Sequence, residues 1–282
     1  MRSKRFIALL NSTPTDTVSP SVKEIIFMVC YFTATGNSMY VAKKLDTDII
    51  SIPRVMYSEN LEFEDETIGI VCPVFCNRLP QLVVDFMKKA RFKTEYLYMI
   101  LTYGNHHGGA AGFTERIVRN KCGIKIDYIR NILMVDNYLP VFDMNDQTAI
   151  DKQVDEQITA AIHDIAARKK EIPELILKER VGHAILMLFN KIMPSFNNGR
   201  QITVTDRCVG CGICAKVCPL GLFFVENSKA DRRENTCAFC LACAQNCPNK
   251  AITMRSADKN PEARYRNQHI TLQEIIDSNN QK

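Results

Sequence analysis

Eight of the twelve cysteines in this 282-residue sequence lie between positions 208 and 247. They form two copies of the pattern C-x2-C-x2-C-x3-C-P, and each cysteine of the second copy follows its counterpart in the first by the same number of residues. Cysteine thiolates at this spacing are typical of proteins that bind [4Fe–4S] clusters. The sequence therefore predicts iron–sulfur chemistry, and the constant offset indicates an internal duplication of one half-domain.

The spacing also divides the eight thiolates between two clusters. Three cysteines at x2 intervals on one loop reach three irons of one cluster, and the fourth, before the proline, points to the other cluster. The expected ligands of the first cluster are Cys208, Cys211, Cys214 and Cys247. The expected ligands of the second are Cys237, Cys240, Cys243 and Cys218. Small residues between the ligands leave room for backbone N–H groups to approach sulfide: Gly210, Gly212, Ala238 and Ala242.

Two other uses of paired cysteines are weaker explanations. A zinc site also uses C-x2-C pairs, but it requires neither the third cysteine nor the Cys-Pro of each half. Disulfides are disfavoured because the cysteines crowd together and we expect no export signal. Residues 201–255 resemble a bacterial-type ferredoxin with two [4Fe–4S] clusters.

A second candidate site follows the first predicted strand, where residues 33–38 read TATGNS. Hydroxyl and amide side chains with a glycine, at a turn from strand to helix, can bind a phosphate because free N–H groups and the helix dipole attract an anion. An ordinary capped helix is the alternative for this loop alone. The sequence lacks a G-x-x-x-x-G-K-[ST] motif, and no G-x-G-x-x-G follows a strand. Nucleoside triphosphate hydrolysis and a resident nicotinamide site are therefore not expected.

Apolar runs and helical patterns alternate through the first part of the chain. The predicted strands are 23–32, 48–51, 67–72, 95–102 and 128–135, with 48–51 at an edge of the sheet. The predicted helices between them are 37–45, 80–90 and 113–120. Such alternation predicts a doubly wound parallel sheet, whose ligands bind beyond the carboxyl ends of the strands. Loops 33–38, 73–79 and 103–109 meet at that edge, where Phe75 and Tyr103 could flank a planar ring.

Residues 33–38 resemble the phosphate loop of flavodoxins, and their combination with a two-cluster ferredoxin resembles the flavodoxin–ferredoxin fusion proteins of the EFR1-family ferredoxin type, found mostly in anaerobes. Residues 136–138 and 264–267 are also similar to that family, and Asn137 and Tyr138 are either flavin contacts or part of a structural turn. The resemblance implies FMN. Its phosphate would contact Thr33, Thr35, Gly36, Asn37 and Ser38. Its isoalloxazine would lie between two loops that hold Val74, Phe75, Tyr103, Gly104 and Asn105.

The expected fold class is α/β, a flavodoxin-like doubly wound parallel sheet followed by a small α+β ferredoxin domain. The expected divisions are a leader (1–22), an FMN domain (23–170), a helical linker (171–200), a ferredoxin domain (201–255) and a tail (256–282). The leader is expected to be frayed, with a targeting or secretory peptide as the alternative. A capping box at residues 271–274 predicts a short helix in the tail.

Helical spacing of apolar residues predicts a helix over 174–193 in the linker. We expect this helix to pack on the sheet or to bridge the domains through a broad apolar stripe: Leu175, Ile176, Leu177, Val181, Ile185, Leu188, Phe189 and Ile192. The alternative is a helix at a membrane surface, because Lys178, Arg180 and Lys191 accompany the stripe.

Four cysteines lie outside the motifs and are expected to be small packing or loop residues, with a redox role as the alternative for the last: Cys30, Cys72, Cys122 and Cys76. His106 and His107 are expected to be exposed loop residues, with hydrogen bonding to a flavin as the alternative.

The formal charge of +5 falls to about −1 when two clusters and an FMN phosphate are counted, so no nucleic-acid partner is expected. Uncharged apolar runs stay short of the roughly 18–20 residues of a transmembrane helix. The predicted function is cytoplasmic electron transfer between two [4Fe–4S] clusters and an FMN, with unidentified redox partner proteins. An FMN-dependent reductase of a small substrate, fed by its own ferredoxin domain, and a non-catalytic redox sensor or scaffold are the alternatives.

Overall fold

The computed structural model describes residues 28–192, 199–233, 237–255 and 258–279. The expected leader, and the expected start of the first strand, lie outside these residues. The elements of the first part are β1 (Met28–Tyr31), α1 (Asn37–Leu45), β2 (Ile49–Ser51), α2 (Ile52–Val55), β3 (Glu62–Glu64), β4 (Thr67–Pro73), α3 (Gln81–Lys89), β5 (Arg91–Lys93), β6 (Tyr96–Tyr103), α4 (Ala110–Cys122), β7 (Tyr128–Leu133), α5 (Met144–Thr148), α6 (Val154–Ala166) and α7 (Leu177–Ile192).

Five parallel strands form the main sheet in the order β2-β1-β4-β6-β7. The central strands β4 and β6 are buried along nearly their whole length, as expected for apolar runs covered by helices on both faces. From β1 the chain moves to one side for β2 and to the other for β4, so the direction of winding reverses between β1 and β4. The prediction of an α/β fold with a parallel sheet is confirmed.

Some local details differ from the sequence predictions. The last strand of the sheet, β7, ends at Leu133 rather than at residue 135. The side chain of Gln157 explains the early end, because its amide group donates to the carbonyl of Leu133 and accepts from the N–H of the same residue. The chain also forms a small parallel pair, β3 with β5, which its short and largely charged sequences did not indicate.

The remaining elements, apart from the last helix, repeat with the period of the cysteine motif. They are β8 (Ile202–Val204), α8 (Ile213–Val217), β9 (Phe223–Glu226), β10 (Lys229–Arg232), α9 (Ala242–Gln245), β11 (Ile252–Met254) and α10 (Leu272–Asn279). The helices α8 and α9 follow the two cysteine loops, and β9 and β11 begin at Phe223 and Ile252. Antiparallel pairs join β8 to β11 and β9 to β10. The duplication seen in the sequence therefore extends to the fold.

The two parts of the chain share their hydrophobic cores. Val217 and Ala242, from the helices that follow the cysteine loops, pack in the core of the parallel sheet. Conversely, Leu139 and Met144 pack in the second core with residues of the cysteine-containing part. The cysteine-containing part is therefore fixed against the carboxyl edge of the sheet.

The helix α7 forms where the sequence predicts it, but its apolar stripe is exposed. For the exposed residues of the stripe, the expectation of packing on the sheet is wrong. The opposite face makes the contacts instead, with His183 stacked on Phe113 at 3.9 Å between ring centroids. No helix among the described residues is both long and apolar enough to span a bilayer.

The C-terminal residues return to the sheet and end in α10. The predicted capping box forms: the Glu274 N–H donates to the Thr271 hydroxyl, and the Thr271 N–H donates to the Glu274 carboxylate at 2.7 Å. Lys43 of α1 donates to the same carboxylate, which lowers the pKa of Glu274 to about 2. The carboxylate thus joins the start of α10 to α1.

Removing the hydroxyl of the capping box should loosen α10. We expect Thr271→Ala to lower the free energy of unfolding by about 1 kcal/mol, because an orphan N–H of the first turn loses its acceptor. Thr271→Ser, which keeps the hydroxyl, is the control and should behave like the wild type. Hydrogen exchange of the α10 amides measures the effect, and equal protection in the two variants would contradict it.

Candidate functional site

The first expected ligand set surrounds a small cavity in the cysteine-containing part. Cys208, Cys211, Cys214 and Cys247 all line this cavity, whose volume is about 20 Å³. Burial raises the pKa of the Cys214 thiol to about 12, and the neighbouring thiolates of Cys211, Cys247 and Cys208 add to the rise. The four thiols are therefore close enough to share one charged group.

The second expected set is more deeply buried. Burial raises the pKa of Cys240, and the thiolates of Cys237 and Cys218 raise it further. Burial also raises the pKa of Cys243. The nearby thiols of Cys240, Cys237 and Cys218 raise it further, as does Cys214 of the first set. The two sets are therefore adjacent, and Cys247 and Cys218 each lie near the three cysteines of the other half of the duplication.

The thiols fit a group that carries positive charge on its metal atoms. Buried thiols with raised pKa values stay protonated at neutral pH unless a cation stabilises the thiolate. Backbone N–H groups of Ala230, Leu222, Phe239 and Ala251 each donate to a cysteine sulfur at 3.3 Å. Hydrogen bonds of this kind stabilise the sulfur charge of iron–sulfur sites. Within the described ranges no group of three or more histidine, cysteine, aspartate or glutamate side chains is placed to hold a metal ion.

The turns between the cysteines have the same backbone conformation in both halves. Gly210 and Gly212 have φ values of +68° and +75°, and the equivalent positions are Phe239 and Leu241, at +54° and +59°. A side chain at such a φ costs roughly 1–2 kcal/mol per residue. The second loop carries this cost because its two side chains make contacts: Leu241 is buried, and the Phe239 ring packs edge-on against Tyr138 at 6.2 Å.

The first loop needs its glycines for two different reasons, which substitution can separate. A Cβ at Gly210 would lie 2.5 Å from the Ser228 carbonyl oxygen, whereas at Gly212 the nearest atom is 3.8 Å away. We expect Gly212→Ala to cost about 1 kcal/mol of unfolding free energy from backbone strain alone, and Gly210→Ala to cost at least twice as much. Anaerobic denaturation of the iron-loaded protein measures both, and equal losses would contradict the steric argument.

A much larger cavity, of about 520 Å³, lies at the carboxyl edge of the parallel sheet. Its volume is in the range of small-molecule and cofactor sites. Nine of the ten residues expected to bind FMN line it: Thr33, Thr35, Asn37, Ser38, Val74, Phe75, Tyr103, Gly104 and Asn105. The tenth, Gly36, lies behind the lining, where a Cβ would come within 2.9 Å of Asn267. The structure therefore brings the three predicted loops together at one site.

The backbone of residues 33–36 is arranged to face an anion. Each of its four carbonyl oxygens accepts a hydrogen bond, and none of the donors lines the cavity. Asn279 Nδ2 donates to residue 33, Asn246 Nδ2 to residue 34, the Asn267 N–H to residue 35 and the Tyr40 N–H to residue 36. In a trans peptide the N–H points opposite to the C=O, so the following N–H groups point to the other side, although the Gly36 N–H already donates to the Thr33 hydroxyl at 3.0 Å. The helix α1 starts here with neither a capping side chain nor an acidic residue in its first turn, among the described residues. The loop therefore fits a phosphate.

Hydrogen bonds hold the polar side chains of this loop in place. Ser38 and Thr102 share a hydrogen bond of 2.8 Å between their hydroxyls, and Asn137 donates to the Thr35 hydroxyl oxygen at 2.6 Å. The side chain of Asn37 is engaged as well, since it donates to a carbonyl and accepts from Tyr265 at 2.6 Å. The Thr35 hydroxyl keeps its proton for a ligand, and Asn37 keeps its backbone N–H and the second hydrogen of its side-chain amide.

The rest of the cavity wall is aromatic and carries a positive charge balance. Phe75 and Tyr103, the residues expected beside a planar ring, are joined by aromatic residues that the sequence did not single out or left open: Tyr138, Phe142 and Phe239. Aromatic faces and edges suit stacking of a planar ligand. Of the acidic side chains described, only Asp136 lines the cavity, and burial raises the pKa of its carboxyl. Arg78 and Lys121 also line it.

The second cysteine loop closes one side of the large cavity. Residues 237–241, which include Cys237 and Cys240 of the second set, belong to its lining. No pattern in the sequence predicted this contact, because it depends on how two separately recognisable parts pack. The sequence did not assign the contacts of the asparagines with residues 33–36 either, because Asn246 lies in the second cysteine motif and Asn267 and Asn279 lie in the tail, all far from that loop along the chain.

The remaining candidate residues have simpler surroundings. Cys30 and Cys72 are buried and Cys122 is half-buried, as expected of packing residues. Cys76 is exposed and lies at the large cavity. His106 is exposed beside that cavity, whereas His107 is half-buried, with Nδ1 3.7 Å from the Glu179 carboxylate.

Comparison with known proteins identifies the cysteine-containing part. Residues 194–252 match the family model of the 4Fe-4S dicluster domain. A ferredoxin of Methanothermococcus thermolithotrophicus is 36% identical over 53 residues, which are 18% of this chain and 88% of the ferredoxin. An uncharacterized ferredoxin of Methanocaldococcus jannaschii is 34% identical over 68 residues, 22% of this chain and 42% of that protein.

A third relative is larger. It is a component of the ion-translocating oxidoreductase complex of Methanosarcina acetivorans and is 42% identical over 48 residues, which are 17% of this chain and 18% of that component. The chain thus spans less than half the length of two of these three relatives, and the similarity to all of them covers less than a quarter of the chain.

Proposed function

We propose, since this chain belongs to the 4Fe-4S ferredoxin family through its C-terminal region, that it is an electron-transfer flavoprotein that passes electrons between two [4Fe–4S] clusters and an FMN. Iron–sulfur electron transfer of the ferredoxin type is the function of the C-terminal region. In this proposal FMN is the second cofactor, and the two cysteine sets derived from the spacing bind the two clusters. The domains are the FMN domain (23–170), the helical linker (171–200), the ferredoxin domain (201–255) and the tail (256–282). The proposal also makes the chain a flavodoxin–ferredoxin fusion protein.

The flavin part of the proposal is supported by the sheet and its cavity. Counting only the strands of the main sheet, their order is 2-1-3-4-5, which is the order of flavodoxin-type sheets with FMN at the reversal point. The 520 Å³ cavity lies at the carboxyl edge beside this point, and the 33–36 backbone there fits a phosphate. These observations together favour FMN over a ligand without an anionic group.

One observation carries the relay function: the second cysteine loop is part of the wall of the large cavity. Cys237 and Cys240 line it together with the residues expected to bind FMN. An electron passing between the two sites would therefore not have to cross a layer of solvent or an intervening helix. The cysteines of the first set line the small cavity and are not among the residues that line the large one.

When bound, FMN supplies one- and two-electron chemistry and each cluster supplies one-electron chemistry. The residues of the chain position these groups and set their environment. The 33–38 loop offers N–H groups and hydroxyls to the phosphate, Phe75 and Tyr103 flank the ring, and residues 237–241 exclude water from the side that faces the clusters. The N–H donors to the cysteine sulfurs stabilise charge on the clusters.

The two alternative functions, a reductase of a small substrate and a redox sensor or scaffold, place different demands on the large cavity. A reductase of a small substrate needs open space over the flavin, whereas the wall made by the second cysteine loop favours a relay. A scaffold or sensor needs no electronic contact between the two sites. External donor and acceptor proteins belong to the proposal, and one relative is named as part of an oxidoreductase complex, which supports such partners.

An anaerobic redox titration tests the proposal. Protein reconstituted with iron, sulfide and FMN should contain about eight irons and one FMN per chain. As dithionite is added, the optical flavin signal and the cluster signals in electron paramagnetic resonance should both change. Clusters that are reduced while the flavin stays oxidised would rule out the relay, and zinc in place of iron would rule out the cofactors.

A further inference from the structure

The helix α7 presents a continuous apolar stripe that the rest of the described chain leaves uncovered. Its members recur at helical spacing on one face, and each is between 52 and 73% exposed: Leu177, Val181, Ile185, Leu188 and Ile192. At 1.5 Å per residue, the stripe is about 22 Å long. An exposed apolar surface of this length indicates an interaction site.

The opposite face of α7 fixes how the stripe is presented. His183 stacks on Phe113, and the Glu179 carboxylate lies 3.7 Å from His107 Nδ1. Both partners belong to α4 or to the loop before it. The stripe is therefore held outward by contacts on the inner side of the helix.

The charges around the stripe are all positive. Lys178 lies along one border, and Arg180 and Lys191 lie along the other, and all three are exposed. Glu179 is the single acidic residue within α7, and it is half-buried on the inner face. An apolar stripe bordered by cations on both sides is complementary to a surface that has anionic groups at its exterior and an apolar interior below them.

We propose that α7 binds the surface of an anionic lipid bilayer, with the apolar stripe at the boundary of the acyl chains and the three cations among the phosphates. Long basic side chains reach the headgroups while their stems cover apolar surface, which is how amphipathic helices bind in the plane of a membrane. The inference rests on α7 alone and holds whether or not the chain binds FMN.

A second copy of this chain is a poorer occupant of the same face. Two α7 helices in contact through their stripes would bring the cationic borders together, with no carboxylate on the exposed face to pair with them. Like charges that approach in this way oppose association. Phospholipid headgroups supply the negative charge that a second α7 lacks.

Co-sedimentation with vesicles tests the proposal on the full-length, iron-loaded protein under anaerobic conditions. We expect binding to an equal mixture of phosphatidylcholine and phosphatidylglycerol, at least about tenfold weaker binding to phosphatidylcholine alone, and loss of the difference as salt is raised. The double variant Ile185→Glu, Leu188→Glu should bind the anionic vesicles at least about tenfold more weakly. The triple variant Lys178→Gln, Arg180→Gln, Lys191→Gln should bind both vesicles as weakly as the wild type binds phosphatidylcholine.

The matched control is Ile150→Glu, which places the same charge on an apolar residue that is 49% exposed outside α7 and should bind like the wild type. Circular dichroism and cluster absorbance verify that each variant is folded. Wild-type protein that ignores anionic vesicles, or a stripe variant that still binds them, would overturn the proposal. So would light scattering that shows a dimer which the stripe variant converts to a monomer without any lipid binding, since a second copy or another protein would then be the occupant.

Discussion

Cys240→Ser is expected to reduce the iron content of the reconstituted protein from about eight to about four atoms per chain. Cys240 is buried, it is close to the thiols of Cys237 and Cys218, and it lines the cavity that we assign to FMN. A buried serine hydroxyl stays protonated at neutral pH and is a poor replacement for a thiolate ligand. Because the lost cluster would be the one beside the flavin, electrons from the remaining cluster should no longer reach it.

The matching variant on the other side is Cys211→Ser, whose thiol is exposed and belongs to the first set. It should lose the same amount of iron but leave the cluster next to the flavin in place, so flavin reduction through the clusters should continue. Cys122→Ser, a change outside both sets, should keep all the iron. Iron analysis with electron paramagnetic resonance distinguishes these results, and identical behaviour of the Cys240 and Cys211 variants would contradict the assigned order of the sites.

Gly36→Ala is expected to raise the dissociation constant of FMN at least about tenfold while leaving the iron content unchanged. Gly36 has a φ of +100°, and an added Cβ would lie 2.9 Å from Asn267 Cβ and 3.0 Å from Ile270 Cβ. Backbone strain costs roughly 1–2 kcal/mol, and tenfold in affinity corresponds to 1.4 kcal/mol. The loop can relieve the clash only by moving away from the tail, and that movement disturbs the N–H groups that face the phosphate.

Gly123→Ala separates this effect from strain in general. Gly123 has a φ of +70° at the end of α4, and nothing lies within 4 Å of the position of an added Cβ. It should lower the stability of the fold without changing FMN affinity. Titration of the two variants with FMN, followed by flavin fluorescence, gives the comparison. Equal affinities for FMN in the two variants would mean that the 33–38 loop does not hold the phosphate.

The sequence predicted those features that depend on neighbours along the chain. The constant offset of the cysteine motif predicted the duplicated half-domain, and Phe223 and Ile252 begin equivalent strands. Buried apolar runs predicted the central strands, and parallel winding predicted that loops 33–38, 73–79 and 103–109 meet at one edge. Each of these inferences follows from a period or from a rule of sheet topology.

The features that the sequence did not predict depend on contacts between distant segments. Nothing in the local sequence of Asn246, Asn267 or Asn279 indicates that they hold the 33–36 carbonyls. The stripe of α7 resembles a core-facing helix in sequence, because apolar spacing does not reveal which neighbour, if any, covers it. The conformation and burial of Leu241 were likewise not predictable from its local sequence. The cysteine loop imposes its left-handed backbone, and the packing of the two parts of the chain buries its side chain.

The return of the C-terminal tail to residues 33–36 has a consequence for biosynthesis. A ribosome releases the 33–38 loop early, but Asn267 and Asn279, which orient its carbonyls, leave the ribosome more than 200 residues later. The sheet can begin to fold on the nascent chain, as N-terminal parts generally do. The hydrogen bonds to the 33–36 carbonyls, however, are complete only after α10 has docked, so nascent chains that lack the tail should be unable to retain the FMN that we propose for this site.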